Sequence, residues 1–211
     1  MAAPGRSLRG GLVLLVGLLA TLCISVSGAL AQDRTAIEPE PGDRLGQRAV
    51  GRTAYDFQVT TTSGDPVTAN DVRNTPYALL LVAGDCSASG RVARRVLEAM
   101  RKIEGMRLIV VVAQPQRTHS QAPNDRMAAR RFEQRLVAGH AVRGRVSVGT
   151  TEARLRTDLG SLVYGGTDRP LLDVPALFTM DARGVIRGAR IGDAPSDVIE
   201  ATLRAAATPV E

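Results

Sequence analysis

The sequence predicts an α/β domain, with a mixed central sheet flanked by helices and an N-terminal β-hairpin extension. The unbroken apolar run Tyr77–Ala83 has the texture of a strand covered on both faces, and Met106–Ala113, apolar apart from Arg107, reads as a second buried strand; a strand with one wet face alternates instead. Between them, Val92, Val96, Leu97, Met100 and Ile103 recur at spacings of four, one, three and three, which is one face of a helix reaching about Ile103. Strand, helix and strand in that order form a parallel pair joined by a right-handed crossover. Alternating segments lie on either side, and a last amphipathic segment closes the domain.

The chain starts with a targeting pattern. Arg6 and Arg9 precede an apolar run from Gly11 to Val26, and Ala29-Leu30-Ala31 puts small residues ahead of the polar Gln32-Asp33-Arg34. This order predicts a secretory signal peptide over residues 1–31, cleaved after Ala31. The alternative is an uncleaved membrane anchor, although the run falls short of the roughly 20 residues a spanning helix needs. Leu22 stands where a lipoprotein cysteine needs a small residue, so Cys23 is read as part of the apolar run. Residues 32–50, with Pro39, Glu40, Pro41 and Gly42 close together, read as a flexible linker. The folded domain is expected over residues 51–211.

Tyr55–Thr61 alternates, Ser63-Gly64-Asp65 turns, and Pro66-Val67-Thr68 returns as the second arm of a hairpin. The first apolar run breaks at Gly84-Asp85-Cys86. After the second run, a polar stretch from Gln114 to Asn124 leads into a helix from about Asp125 to Leu136. Arg145–Val148 is a short strand, and Thr151–Leu159 a helix capped by Thr150 or Thr151. Ala176–Met180 and Val185–Gly192 are strands joined by a turn at Asp181-Ala182-Arg183-Gly184. Ser196–Ala206 is the closing helix, capped by Ser196 or Asp197.

Composition narrows the function. Hydrophobic residues are 44% and charged residues 23%, the balance of a globular domain. With no Trp and only 3% aromatics, the core must be aliphatic. The net charge is +6, almost all from arginine, since Lys102 is the only lysine. The basic residues are scattered and lack interleaved aromatics, so no nucleic-acid partner is expected. Weak association with an anionic membrane surface stays open. Arginines between Arg91 and Arg101 and between Arg126 and Arg135 read as solvated helix faces. His119 and His140, the only histidines, lie in polar contexts, and no ligand cluster suggests a metal or any cofactor. No Gly-x-Ser-x-Gly elbow supports a serine nucleophile. Gly84–Gly90 lacks the lysine of a phosphate loop.

The order of these features resembles the thioredoxin superfamily, and more narrowly the exported thiol-disulfide oxidoreductases related to cytochrome c maturation and to peroxiredoxins. The resemblance covers about residues 51–207. It is carried by Ala54-Tyr55-Asp56-Phe57 followed by Gly64 and Asn70-Asp71-Val72-Arg73, by the apolar strand two residues before Asp85-Cys86, and by Val174-Pro175 followed by Asp181, Gly184 and Ile186. It implies a thioredoxin-like fold and a C-x-x-C site usually preceded by Trp. Here the tetrad is Cys86-Ser87-Ala88-Ser89 with Asp85 at the Trp position, so only the first cysteine carries over and Ser89 stands in the resolving place. The resemblance also implies that Pro175 is cis and lies against the cysteine, and that Val174 offers backbone groups to an extended substrate.

A thiolate at a helix N-terminus faces unpaired N–H groups and the positive end of the helix dipole, which lower its pKa. Ser87 or Ser89 can donate to it, whereas Asp85 opposes a second negative charge. Once the signal is removed, Cys86 is the only cysteine, in a compartment where disulfides form. Any exchange must therefore be intermolecular, with client protein thiols or disulfides and an external thiol reductant as partners. The expected function is periplasmic monothiol exchange of reductase or isomerase type, with Cys86 and Ser89 as the catalytic positions and Asp85, Val174 and Pro175 as the substrate-binding ones. A redox-inactive binding module is the alternative. A one-cysteine peroxide-reactive protein ranks third, because Ala83 stands where peroxiredoxins place Thr.

Overall fold

Alternation along β3 (Tyr77–Ala83) explains its unbroken apolar run. Ala78, Leu80 and Val82 enter one core, while Tyr77, Leu79 and Leu81 enter a second core on the other face of the sheet. The same division holds in β4 (Arg107–Ala113), where Leu108, Val110 and Val112 oppose Ile109 and Val111. The computed structural model describes residues 42–54, 56–113, 122–137, 144–151, 153–165 and 171–208. The candidate signal segment, residues 32–41, His119 and His140 lie outside the described residues.

In chain order the remaining elements are α1 (Gly42–Gln47), β1 (Gln58–Thr61), β2 (Pro66–Thr68), a 3-10 turn (Ala69–Val72), α2 (Ser87–Met100) between β3 and β4, α3 (Ala122–Val137), β5 (Val146–Thr150), α4 (Ala153–Tyr164), β6 (Ala176–Met180), β7 (Ile186–Ile191) and α5 (Ser196–Ala207). They form a seven-stranded sheet in the order β2-β1-β5-β4-β3-β6-β7. β3 pairs parallel with β4, and β4 with β5, while the hairpin and the β6–β7 pair run antiparallel. This is the expected mixed sheet with its N-terminal hairpin. Buried residues of α2, α3 and α5 cover one face, and those of α4 cover the other, into which Val59 and Val67 of the hairpin also point.

Several boundaries differ from expectation for identifiable reasons. The linker expected to run to residue 50 contains α1, and Ala49 is fully buried in the second core, so packing begins before Gly51. Gly46 lies so close to β7 that a Cβ there would meet the Ala189 carbonyl at 2.3 Å. β5 extends to Thr150 because Thr150 pairs with Thr60. α4 runs past Leu159 to Tyr164, since Leu162 and Val163 prolong its buried face. Thr151 donates its hydroxyl to the Gln58 carbonyl at 2.8 Å. Neither Ser196 nor Asp197 caps α5. Pro195 occupies the N-cap, and Asp197 sits in the first turn, where its charge still suits the helix dipole.

The hairpin is docked through one glycine. Gly149 lies opposite Thr61, and a Cβ there would stand 2.3 Å from the Thr60 carbonyl oxygen and 2.8 Å from a Val59 methyl. Gly149→Ala is therefore expected to push β1 away from β5 and to destabilise the domain by about 1–3 kcal/mol, the usual range for overpacking. Urea unfolding measures the total. Hydrogen exchange should show the loss first in β1 and β2, and unchanged protection of Val59 and Val67 would contradict this account.

Candidate functional site

β3 ends at Ala83 because Gly84-Asp85 turns the chain, and the Cys86 N–H closes that turn on the Ala83 carbonyl at 3.3 Å. Gly84 fits against β4 and α3, where a Cβ would lie 3.3 Å from a Val112 methyl. Cys86 is the N-cap residue of α2, with extended dihedrals (φ −86°, ψ 123°). Its carbonyl accepts the first helical hydrogen bond, from the Gly90 N–H at 3.1 Å. Cys86 is half-buried and unbonded to another cysteine.

The sulfur makes no capping hydrogen bond, yet the first turn of α2 surrounds it. The Ser89 backbone N–H has the largest effect and the Ser89 hydroxyl the next, and together with the Ala88 N–H they hold the Cys86 thiol below its ordinary pKa. Partial desolvation and the neighbouring Asp85 carboxylate oppose this and are outweighed. The competition between helix terminus and Asp85 thus falls in favour of the thiolate.

Ser89 is fully buried. Its oxygen accepts the Ala83 N–H at 3.0 Å, which ties the end of β3 to the first turn of α2. The residue in the resolving place therefore serves as a brace and as a donor towards the sulfur. A neutral hydroxyl cannot complete a disulfide, so no second redox centre follows from it.

A cleft of about 450 Å³ opens beside the sulfur. Asp85, Cys86 and Ser87 form one side, Phe132 and Leu136 of α3 supply apolar surface, and Arg91, Arg94 and Arg135 complete the lining. Arg135 donates to the Gly84 carbonyl at 2.6 Å and lies over the Phe132 ring, 6.0 Å from its centroid. Arg91 reaches Asp193 through Nε at 3.0 Å and Nη2 at 2.7 Å, and Arg95 reaches the same carboxylate at 2.5 Å. The Arg91 guanidinium, then that of Arg95, holds the Asp193 carboxyl below the usual carboxylate range against some desolvation.

The Val174–Pro175 peptide bond is cis. Ala176 pairs with Leu81, so this bond stands at the end of the sheet from which the chain leaves towards Cys86. Pro175 is buried and its carbonyl accepts the Gly192 N–H at 2.8 Å. Val174 is half-buried and its backbone makes no hydrogen bond to a described residue. The cleft thus brings Cys86 and Asp85 together above Ser89, but Val174 and Pro175 do not line it.

By sequence the cleft arginines are solvated helix faces, and Arg91, Arg94 and Arg135 are indeed exposed while also lining the cleft. For Arg91 and Arg94 a signal existed, because Ser87, Gly90, Arg91 and Arg94 follow one helical stripe starting beside Cys86. Nothing local identifies Arg135, which α3 brings in from a distance. Among the described residues, no group of three or more metal-ligating side chains occurs.

No protein-family model matches the chain, and no curated protein matches it by sequence. Solved structures do match. A thiol:disulfide interchange protein of the thioredoxin family from Chlorobium tepidum TLS aligns with a TM-score of 0.54 at 14% identity, over 76% of this chain and 99% of that one. The thioredoxin domain of a thiol-disulfide oxidoreductase from Bacteroides vulgatus aligns at 0.50 and 13% identity, over 74% and 96%. A SCO1/SenC family lipoprotein from Bacillus anthracis str. Ames aligns at 0.52 and 14%, over 75% and 96%. The chain has the thioredoxin-like fold that these proteins share.

Proposed function

We propose that this thioredoxin-like chain is an exported thiol-disulfide exchange protein of monothiol type, acting through Cys86. The observation that carries the reading is the placement of Cys86 at the N-cap of α2, where the Ser89 amide and hydroxyl hold its thiol below the ordinary pKa. Residues 1–31 direct export in this reading, and clients present a disulfide or an oxidisable thiol to the cleft.

The chemistry is one exchange reaction used twice. The Cys86 thiolate attacks a client disulfide R–S–S–R′, forms the Cys86–S–S–R bond and releases R′S⁻. A second thiolate from outside the chain then attacks the mixed disulfide and restores the Cys86 thiolate. Each step breaks one S–S bond and makes one, so electrons balance without a cofactor. Ser89 supports the thiolate and cannot resolve the adduct. Val174, whose backbone makes no hydrogen bond to a described residue, lies at the same end of the sheet, and in this reading its backbone groups hold an extended client segment by strand addition.

Alkylation by iodoacetamide across pH tests the proposal. The rate should follow a single ionisation with a midpoint below about 8.5, the unperturbed thiol value. Mild oxidation with client present should give a disulfide-linked adduct that Cys86→Ser abolishes. A midpoint at or above the unperturbed value with no adduct would favour a redox-inactive binding module. Faster oxidation by peroxide than by disulfides would favour the peroxide-reactive reading.

A further inference from the structure

We infer that the cleft beside Cys86 receives a carboxylate-bearing thiol or disulfide of small-molecule size, so that the outside thiol which resolves the Cys86 adduct is an anionic one. This deepens the exchange reading proposed above and rests on it.

Among the described residues, the lining arginines Arg91, Arg94 and Arg135, with Arg95 behind Arg91, meet two carboxylates, Asp85 in the lining and Asp193 behind it. Asp193 is shared by Arg91 and Arg95, so one of those charges is left over. Arg135 spends its hydrogen bonds on the Gly84 and Arg131 carbonyls and keeps its full charge. Arg94 is exposed and makes no hydrogen bond or ion pair with a described residue. Among the described residues, two arginines with no carboxylate partner thus stand at a cleft whose only acidic lining residue is Asp85. A concave site with converging like charges and an apolar wall concentrates ligands of opposite sign.

Size points to a small ligand. The cleft measures about 450 Å³, within the roughly 300–1,000 Å³ of small-molecule sites. Phe132 and Leu136 offer apolar contact for a short carbon chain. The sulfur of such a ligand meets Cys86 while its carboxylate meets Arg94 or Arg135. The reaction is the exchange already written: the ligand thiolate R″–S⁻ attacks the client sulfur of Cys86–S–S–R, the product R″–S–S–R leaves, and Cys86 recovers its electron pair as a thiolate.

Three dialkyl disulfides of similar size test this on the full chain: 3,3′-dithiodipropionate (anionic), bis(2-hydroxyethyl) disulfide (neutral) and cystamine (cationic). The readout is the ratio of anionic to neutral rate with Cys86, and of cationic to neutral. Arg94→Gln and Arg135→Gln should each lower the first ratio about fivefold, the scale of two unit charges about 4 Å apart in a water-like dielectric, as suits exposed arginines, and should raise the second. Arg101→Gln, on the far end of α2, should leave both ratios as they are. The preference should shrink as salt is raised. If neither cleft variant changes the ratios, the inference is overturned while the exchange reading stands. If all three disulfides fail to react, both are overturned. Faster reaction with an acidic peptide disulfide than with dithiodipropionate would overturn the small-molecule assignment.

Discussion

Ser89→Cys is expected to give the protein an internal disulfide and to shorten the life of its mixed disulfides by at least about a hundredfold, because a positioned neighbouring thiol attacks with high effective concentration. Position 89 lies three residues after Cys86 in the first turn of α2, and its side chain already acts on the Cys86 sulfur. A disulfide needs Cα atoms within about 4.4–6.8 Å, which that spacing at a helix start supplies. The substituted sulfur keeps the place of the buried hydroxyl but accepts the Ala83 N–H only weakly, so some stability is lost. Thiol titration after mild oxidation should find no free thiol in Ser89→Cys and one in the parent domain. A variant that keeps two free thiols would show that the pair cannot close. Ser89→Ala isolates the supporting role. It should raise the midpoint of Cys86 alkylation and, by leaving the Ala83 N–H unpaired, lower stability by about 1–3 kcal/mol.

Why the frame was readable while half the site was not follows from the range of the interactions involved. β3, α2 and β4 carry their own periodicity, and both faces of each strand are apolar because both faces are buried. Val92, Val96, Leu97, Met100 and Ile103 are all buried, as one helical face requires. Cys86 and Ser89 are fixed by the same local turn, so their geometry followed from the start of the helix. Local signals failed where a distant element decides. α1 packs against β7 and looks like linker by itself. Pro195 takes the cap of α5 although Ser196 and Asp197 are better cap residues by type. Arg135 reaches Gly84 across 51 positions of chain, and Arg91 reaches Asp193 across 102. An arginine on a helix carries no mark of whether a cleft lies beyond it.

The second large effect belongs to Asp181, at the opposite end of the β6–β7 pair from the cis Val174–Pro175 bond. One of its oxygens accepts the Arg183 N–H at 2.9 Å and the Val185 N–H at 3.0 Å. The other accepts Arg187 Nε at 2.9 Å and pairs with Nη2 at 2.7 Å. This carboxylate closes the turn that Gly184, at φ 78°, completes. Desolvation alone would raise its pKa, but the Val185 N–H, Arg187 and the Arg183 N–H outweigh it and hold the carboxyl below the usual range. A carboxyl whose pKa falls on folding stabilises the native state above its unfolded value, about 3.9, and loses that contribution as pH drops through the folded value. Asp181→Ala removes acceptor and charge together and should cost about 1–3 kcal/mol at neutral pH, the scale of leaving polar groups without their partner. Asp181→Asn keeps an oxygen for the two N–H groups and should cost less. Denaturation curves from neutral pH downwards discriminate the two roles: the gap between parent and Asp181→Asn should close as the pH falls below the carboxylate range. A gap that stays constant there would mean that the charge adds nothing, and that Asp181 holds the hairpin by hydrogen-bond geometry alone.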